Sequence, residues 1–304
     1  MRDTTALVQE IARLRKERRA VILAHNYQSP EVQDIGDFVG DSLGLSRQAA
    51  ATDAEVILFA GVHFMAETAK ILAPGKTVVL PEPRAGCPMA DMITAEDVLE
   101  WRAKFPGVPV VMYVNSSADV KALSDVCVTS ANAVAVVRGL GVGRVLFGPD
   151  RNLAAWVASK LRGVEVIPWE GFCPTHERVT GAMVRAALEA HPDAEVLTHP
   201  ECRPEVNELA DFVLSTSQMI RRVAESVAQE FVIVTESGLL HGLSKAAPGK
   251  RFWQPEPFPV CPNMKMTTLE KVRDALLTLE PRIEVSDGVR AKALAAVERM
   301  VAVG

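Results

Sequence analysis

Short apolar runs of β-rich composition alternate along this chain with longer segments whose apolar residues recur at helical spacing, and the alternation comes round three times. Residues 21–24 lead into the polar triplet His25-Asn26-Tyr27, residues 110–112 into Tyr113-Val114-Asn115, and residues 196–198 into His199-Pro200-Glu201. Twelve residues beyond the first member of each triplet stands Asp37, Asp125 or Asp211, and seventeen beyond stands Ser42, Ser130 or Thr216. A register held over this distance marks a repeated structural unit.

Each unit reads alike. A first run is followed by a segment of helical spacing (31–38, 203–212), a second short run ending in Ser or Thr, and a helix opened by those hydroxyls (43–51, 131–140, 219–228). A third run (56–60, 145–147, 232–234), another helix and a fourth run (77–80, 165–167, 251–253) complete it. Parallel neighbours need crossover connections, so βα alternation predicts parallel sheets with helices on both faces. The expected fold is α/β: three homologous small αβα domains, residues 1–88, 89–174 and 175–263, related by a pseudo-threefold axis with the active site at their common interface. Residues 264–304 carry two further helical patterns, broken at Pro281, and are expected to pack with the N-terminal helix on the first domain. That helix shows Leu7, Ile11 and Leu14 on one face and a solvated run from Arg13 to Arg19 on the other.

Each fourth run leads into a Gly/Pro-rich turn holding a cysteine: Cys87, Cys173 and Cys261, separated by 86 and 88 residues. Ligands gather outside the carboxyl ends of parallel strands. Three such edges facing one axis would gather His25, Tyr27, Tyr113, Asn115, His199 and Glu201 around three thiols. Three thiolates can hold a [4Fe–4S] cluster and leave one iron open as a Lewis acid. Zinc held by the same cysteines and His176 is the competing reading. Cys127 and Cys202 have no counterparts in the other units and are assigned to packing. Ser42, Ser130 and Ser215-Thr216-Ser217 each read singly as helix N-caps worth about 1 kcal/mol. As a set at one cavity they would turn backbone N–H groups toward a small anion. Asp37, Asp125 and Asp211 suit turn or helix-end roles, and His63 and His241 would stand at best behind the cavity wall. Gly139, Gly141 and Gly143 follow a helix and precede a strand, the reverse of a dinucleotide fingerprint.

Composition narrows the partners. With 304 residues, 48% apolar, and a net charge of −5, the chain reads as a soluble globular protein with no basis for binding nucleic acid or a membrane surface. It has no apolar run long enough to span a membrane and is expected in the cytoplasm. Five cysteines, an odd number, argue for metal or thiol chemistry over a disulfide framework.

The chain resembles the quinolinate synthase family in His25-Asn26-Tyr27, Gly40-Asp41-Ser42, the stretch from Phe64 to Lys70, Cys87-Pro88-Met89-Ala90, Tyr113-Val114-Asn115-Ser116, the stretch from Thr129 to Ala133, Phe147-Gly148-Pro149-Asp150, His199-Pro200-Glu201-Cys202 and Asn263-Met264-Lys265. The resemblance implies a condensing synthase that joins iminoaspartate to dihydroxyacetone phosphate, losing phosphate and water, to give quinolinate for NAD biosynthesis. It implies a [4Fe–4S] cluster on Cys87, Cys173 and Cys261, with one open iron. It implies a substrate site of His25, Ser42, Tyr113, Asn115, Ser130, His176, His199, Glu201, Ser215 and Thr216, and proton transfer by Tyr27, His199 and Glu201. A separate enzyme would supply iminoaspartate; a monomer or a homodimer is compatible. Some family members carry further cysteines after the last ligand; here Cys261 stands alone, so no thiol switch is expected there. Another three-domain [4Fe–4S] enzyme, such as a reductive dehydroxylase, is the alternative.

Overall fold

The computed structural model describes residues 4–303; residues 1–3 and Gly304, the outermost parts of the expected first domain and C-terminal extension, lie outside the described residues. Three four-stranded parallel sheets make up the β structure. The first comprises β1 (Ala20–His25), β2 (Phe38–Gly40), β3 (Val56–Ala60) and β4 (Thr77–Val79) in the order β2-β1-β3-β4. The second is built from β5 (Val110–Tyr113), β6 (Val126–Val128), β7 (Arg144–Gly148) and β8 (Glu165–Pro168), the third from β9 (Glu195–Thr198), β10 (Phe212–Val213), β11 (Glu230–Val234) and β12 (Arg251–Trp253). All three share one order, so the repeat in the sequence is a repeat of topology. The central strands β1, β3, β5 and β7 are apolar and almost wholly buried, as strands covered by helices on both faces must be.

The recurring aspartates hold the same position in each unit. The backbone N–H of Ile22 donates to Asp37 Oδ2 at 2.9 Å, that of Val110 to Asp125 Oδ2 at 2.7 Å, and that of Val196 to Asp211 Oδ2 at 2.8 Å. Each aspartate N–H returns to the carbonyl of the same residue, at 2.9, 2.9 and 3.0 Å. This reciprocal clasp closes the excursion between the first and second strands, the turn role that the spacing suggested.

Helix Leu269–Thr278 packs on the N-terminal helix Thr4–Glu17 as expected, but helix Asp287–Ala302 does not stay on the first unit. It lies in the seam between units, against helix His63–Leu72 of the first and against β6 and helix Ala118–Lys121 of the second. Its buried stripe of Ala293, Ala296, Val297 and Met300 covers the edge strand β6, and Asn132 Nδ2 donates to the carbonyls of Met300 and Val303 at 2.9 and 2.8 Å. An otherwise open sheet edge explains why the helix goes there.

In every sheet the order reverses between its first and third strands, which leaves a crevice at their carboxyl ends. The three crevices open onto one cavity.

Candidate active site

A cavity of about 200 Å³ is lined by residues of all three units. His25, Tyr27, Ser42, Tyr113, Asn115, Ser130, His176, His199, Glu201 and Thr216 line it, as do Cys87, Cys173 and Cys261. Ser215 is the exception among the expected substrate residues. It is fully buried behind the wall as N-cap of helix Thr216–Glu225: its Oγ accepts the N–H of Gln218 and donates to Asp41 Oδ2 at 3.1 Å.

The hydroxyl pattern therefore has a division of labour. In the first unit Asp41, not Ser42, caps helix Ser42–Ala51 by accepting the N–H of Gly44 at 2.9 Å. In the third, Ser215 caps and Thr216 follows. In each case the preceding residue satisfies the helix end, which leaves the next hydroxyl to face the cavity. Ser130 opens no helix. It sits in the turn before helix Ala133–Gly139, with its Oγ 3.2 Å from His199 Nε2.

The triplets after β1 and β9 form the same turn. His25 Nδ1 accepts the N–H of Tyr27 at 3.1 Å, and His199 Nδ1 accepts the N–H of Glu201 at 3.3 Å. An Nδ1 that accepts leaves the proton on Nε2. Burial pushes His25 down to about 4 and His199 down to about 3, so both imidazoles are neutral at pH 7. They are hydrogen-bond donors to the cavity through Nε2–H.

Glu201 sits at the junction of the site. Tyr113 OH donates to its Oε1 at 2.7 Å, and His176 Nδ1 lies 2.8 Å from its Oε2. Burial alone would raise its carboxyl, but the imidazoles of His176 and His199 and the Tyr113 hydroxyl reverse that and hold it below the usual carboxylate range. Beyond His176 the network continues: Nε2 is 2.8 Å from Thr235 Oγ1, which is 2.6 Å from Tyr27 OH. One direction of donation satisfies it all, with Tyr27 donating to Thr235, Thr235 to His176 Nε2, and His176 Nδ1–H to Glu201. Burial drives both tyrosines well above their ordinary value, Glu201 adding to it, so both hold their protons.

Composition-level reading missed Thr235, which joins His176 to Tyr27 in this line. Its signal was available: it is a polar residue directly after an apolar strand, at the carboxyl end where ligands gather.

The cysteine turns are tied down from behind. The N–H of Cys173 donates to Asp150 Oδ2 and the N–H of Cys261 to Glu236 Oε1, each at 3.1 Å. Asp150 also caps the following helix through the N–H of Leu153 at 2.6 Å, and Glu236 accepts the N–H of Gly238 at 2.7 Å. The first unit has Val62 in this place and ties its turn through the N–H of His63 donating to the Ala85 carbonyl at 2.8 Å. Gly171 lets the Cys173 turn press on its neighbour, since a Cβ there would stand 2.4 Å from the Pro149 carbonyl oxygen.

Burial pushes the Cys87 thiol up to about 12 and raises Cys173 and Cys261 as well, the opposite of an activated nucleophile. Thiols in such a setting lose their protons to a metal. Ligand atoms of Cys173, His176 and Glu201 all lie within 4.8 Å of one another, a group able to hold a metal ion. His176 Nδ1 lies 3.2 Å from Cys173 Sγ as well as beside Glu201, while its Nε2 is engaged by Thr235. Cys127 and Cys202 are fully buried and away from the wall, in packing roles. His63 is exposed and His241 pairs with Asp34, its Nε2 2.7 Å from Oδ1, so neither reaches the cavity.

Three repeated α/β units closing on one thiol-lined, proton-rich cavity define the class, an enzyme that works on a small molecule held between its lobes. Comparison with known proteins sharpens this. The pattern of the family described as quinolinate synthetase A protein matches residues 9–302, and the chain belongs to that family. It is 55% identical to a quinolinate synthase of Methanoregula boonei over 99% of this chain and 100% of that one. It is also 55% identical to a quinolinate synthase of Desulforudis audaxviator, over 97% and 98% of the two chains. With a quinolinate synthase of Alkaliphilus metalliredigens the identity is 52%, over 98% and 99%. These relatives do not favour the reductive dehydroxylase. Among the described residues no helix is long and apolar enough to cross a membrane.

Proposed function

We propose that the chain is a quinolinate synthase that condenses iminoaspartate with dihydroxyacetone phosphate to quinolinate, with loss of phosphate and water, in NAD biosynthesis. The observation that carries this reading is the unbroken line from Tyr27 through Thr235 and His176 to Glu201 and Tyr113, beside three thiols in one cavity. Imine formation, isomerisation, ring closure and dehydration need groups that give protons and groups that take them. Tyr27 and Tyr113 hold protons, Glu201 is the ionised acceptor, and His176 joins the two ends. His199, neutral and protonated on Nε2, donates a hydrogen bond where the substrate's oxygen atoms would lie. Ser42 and Thr216, freed by their capping neighbours, stand at helix starts suited to substrate carboxylates.

The donor set suits a [4Fe–4S] cluster held by Cys87, Cys173 and Cys261: three partly buried thiols, one from each unit, at the wall of one cavity. When bound, such a cluster supplies an open iron that can act as a Lewis acid on a departing hydroxyl. The domain limits at residues 88, 174 and 263 each fall within one residue of a site cysteine or after the last, so every unit would contribute one ligand. The reading assigns the enzyme to the cytoplasm, with iminoaspartate supplied by a separate enzyme.

Protein purified without oxygen should contain about four irons per chain and form quinolinate from the two substrates. A colourless protein with one zinc, or absence of quinolinate with the iron in place, overturns the reading.

A further inference from the structure

The cavity wall carries more acidic than basic side chains for a site that would take a phosphate ester and a dicarboxylate. Asp41, Glu201 and Glu236 line it, the last paired with Lys265 Nζ at 2.9 Å from behind the wall. Among the described residues, Arg178 is the one Arg or Lys side chain in its wall. His25 and His199 bring no compensating charge, being neutral.

Arg178 also differs from the arginines around it. It follows helix Pro174–Glu177, which carries Cys173 at its N-cap and His176 within it. Two other guanidinium groups converge on this helix and both pair with Glu177: Arg151 Nη2 at 2.7 Å and Arg203 Nε at 3.5 Å. Arg178 has no carboxylate in ion-pair reach and no side-chain hydrogen bond among the described residues, although it is exposed and Glu177 is its chain neighbour. Glu177 is already occupied, which leaves the Arg178 charge for whatever enters the cavity. A residue that is at once exposed and part of the wall stands at the mouth.

We propose that Arg178 binds the phosphate group of the phosphorylated substrate at the cavity mouth and so orients that substrate with its carbon skeleton inward. A guanidinium presents a planar fork of donors that matches phosphate oxygens, and its pairing with phosphate is charge-assisted. Its place at the mouth also fits the chemistry: the phosphate is expelled during the reaction, and a binding site next to solvent gives the released anion a short exit. The dicarboxylate is left to the hydroxyls and helix starts deeper in. This assignment rests on the function proposed above.

The test uses anaerobically prepared holoenzyme with Arg178→Gln and Arg178→Lys. Arg178→Gln should raise KM for dihydroxyacetone phosphate about 10- to 100-fold, as for loss of a charged hydrogen bond, and leave KM for iminoaspartate within about twofold. Arg178→Lys should recover part of the loss, because the charge returns without the fork. In calorimetric titration, inorganic phosphate should bind the Gln variant more weakly by a similar factor. Equal phosphate affinity in parent and Gln variant, or a KM change that falls on iminoaspartate instead, overturns the proposal. If the parent enzyme makes no quinolinate, the functional reading fails by itself, and the phosphate titration still decides Arg178: weaker binding by the Gln variant upholds the anion site, equal binding removes it.

Discussion

The two ends of the strands in this protein have been treated differently by the same repeat. At the amino ends, Asp37, Asp125 and Asp211 make one bond three times over, each clasping the backbone of its unit's first strand at 2.7 to 2.9 Å. At the carboxyl ends the equivalent positions have drifted apart in chemistry: His25, Tyr113 and His199 at one, Tyr27, Asn115 and Glu201 at another. The difference teaches where each kind of constraint acts. A backbone clasp is needed by every unit for its own folding, so identical residues serve. A single cavity shared by three units needs one acid, one base and one anion subsite, and not three of each. The cysteines are identical in all three units at the carboxyl ends, as a metal held between three lobes would ask of its donors.

Breaking the carboxyl end at one of its three identical cysteines should have the largest effect. Cys173→Ser is expected to lose iron and quinolinate formation together, read by metal analysis and assay of the same anaerobic preparation; a variant that keeps its full iron content would remove Cys173 from the ligand set. The next effect acts on a position where the units differ. Tyr27→Phe removes the hydroxyl that ends the proton line while keeping the ring against His25, 4.7 Å away. Its kcat should drop about 10²- to 10⁴-fold, the usual share of a positioned proton donor, with iron content unchanged.

The pH dependence of stability sharpens the contrast further. His25 is held near 4 in the folded protein against an ordinary 6.5. Between those values the unfolded chain takes up a proton that the folded chain refuses, so stability falls as pH drops from about 6.5 toward 4 and is unaffected by this group above that window. The full difference is on the order of 3 kcal/mol. His25→Asn should flatten this slope in denaturant midpoints measured from pH 7 to pH 5, and an unchanged slope would show that His25 is not the group being titrated. The smallest effect is expected at the amino ends. Asp211→Ala should cost about 1 kcal/mol of stability through the lost clasp on Val196, with kcat per folded molecule intact. Asp37→Ala and Asp125→Ala should cost similar amounts. A marked loss of kcat in any of the three would break the division between folding and chemistry.

Much of this was legible in the chain. The third runs appear as strands almost residue for residue, as at Val56–Ala60, because a buried parallel strand must be apolar along its whole length, and the fourth runs, half-exposed edge strands such as Arg251–Trp253, follow the same bounds closely. The segments after the first strands were harder. Residues 31–38 and 203–212 read as full helical segments but form only Pro30–Asp34 and Pro204–Asn207, each shortened so that the aspartate clasp can close. Ser215 and Ser42 show a finer limit. Ser/Thr at a helix start signals a cap, but which of two adjacent polar residues caps and which faces the ligand depends on a backbone turn that composition does not reveal.

The amino-acid sequence by itself determined the three units, their parallel sheets and the place of the polar triplets and cysteines at the carboxyl ends, since apolar periodicity and a constant register are properties of the chain. Tertiary structure alone decided what those residues do to one another. The neutral state of His25 and His199, the ionised state of Glu201, the bridge through Thr235, the seam position of helix Asp287–Ala302 and the unpaired charge of Arg178 all depend on how residues of different units or different turns come together. Burial and hydrogen-bond geometry set them, and both exist only once the three lobes have closed on one another.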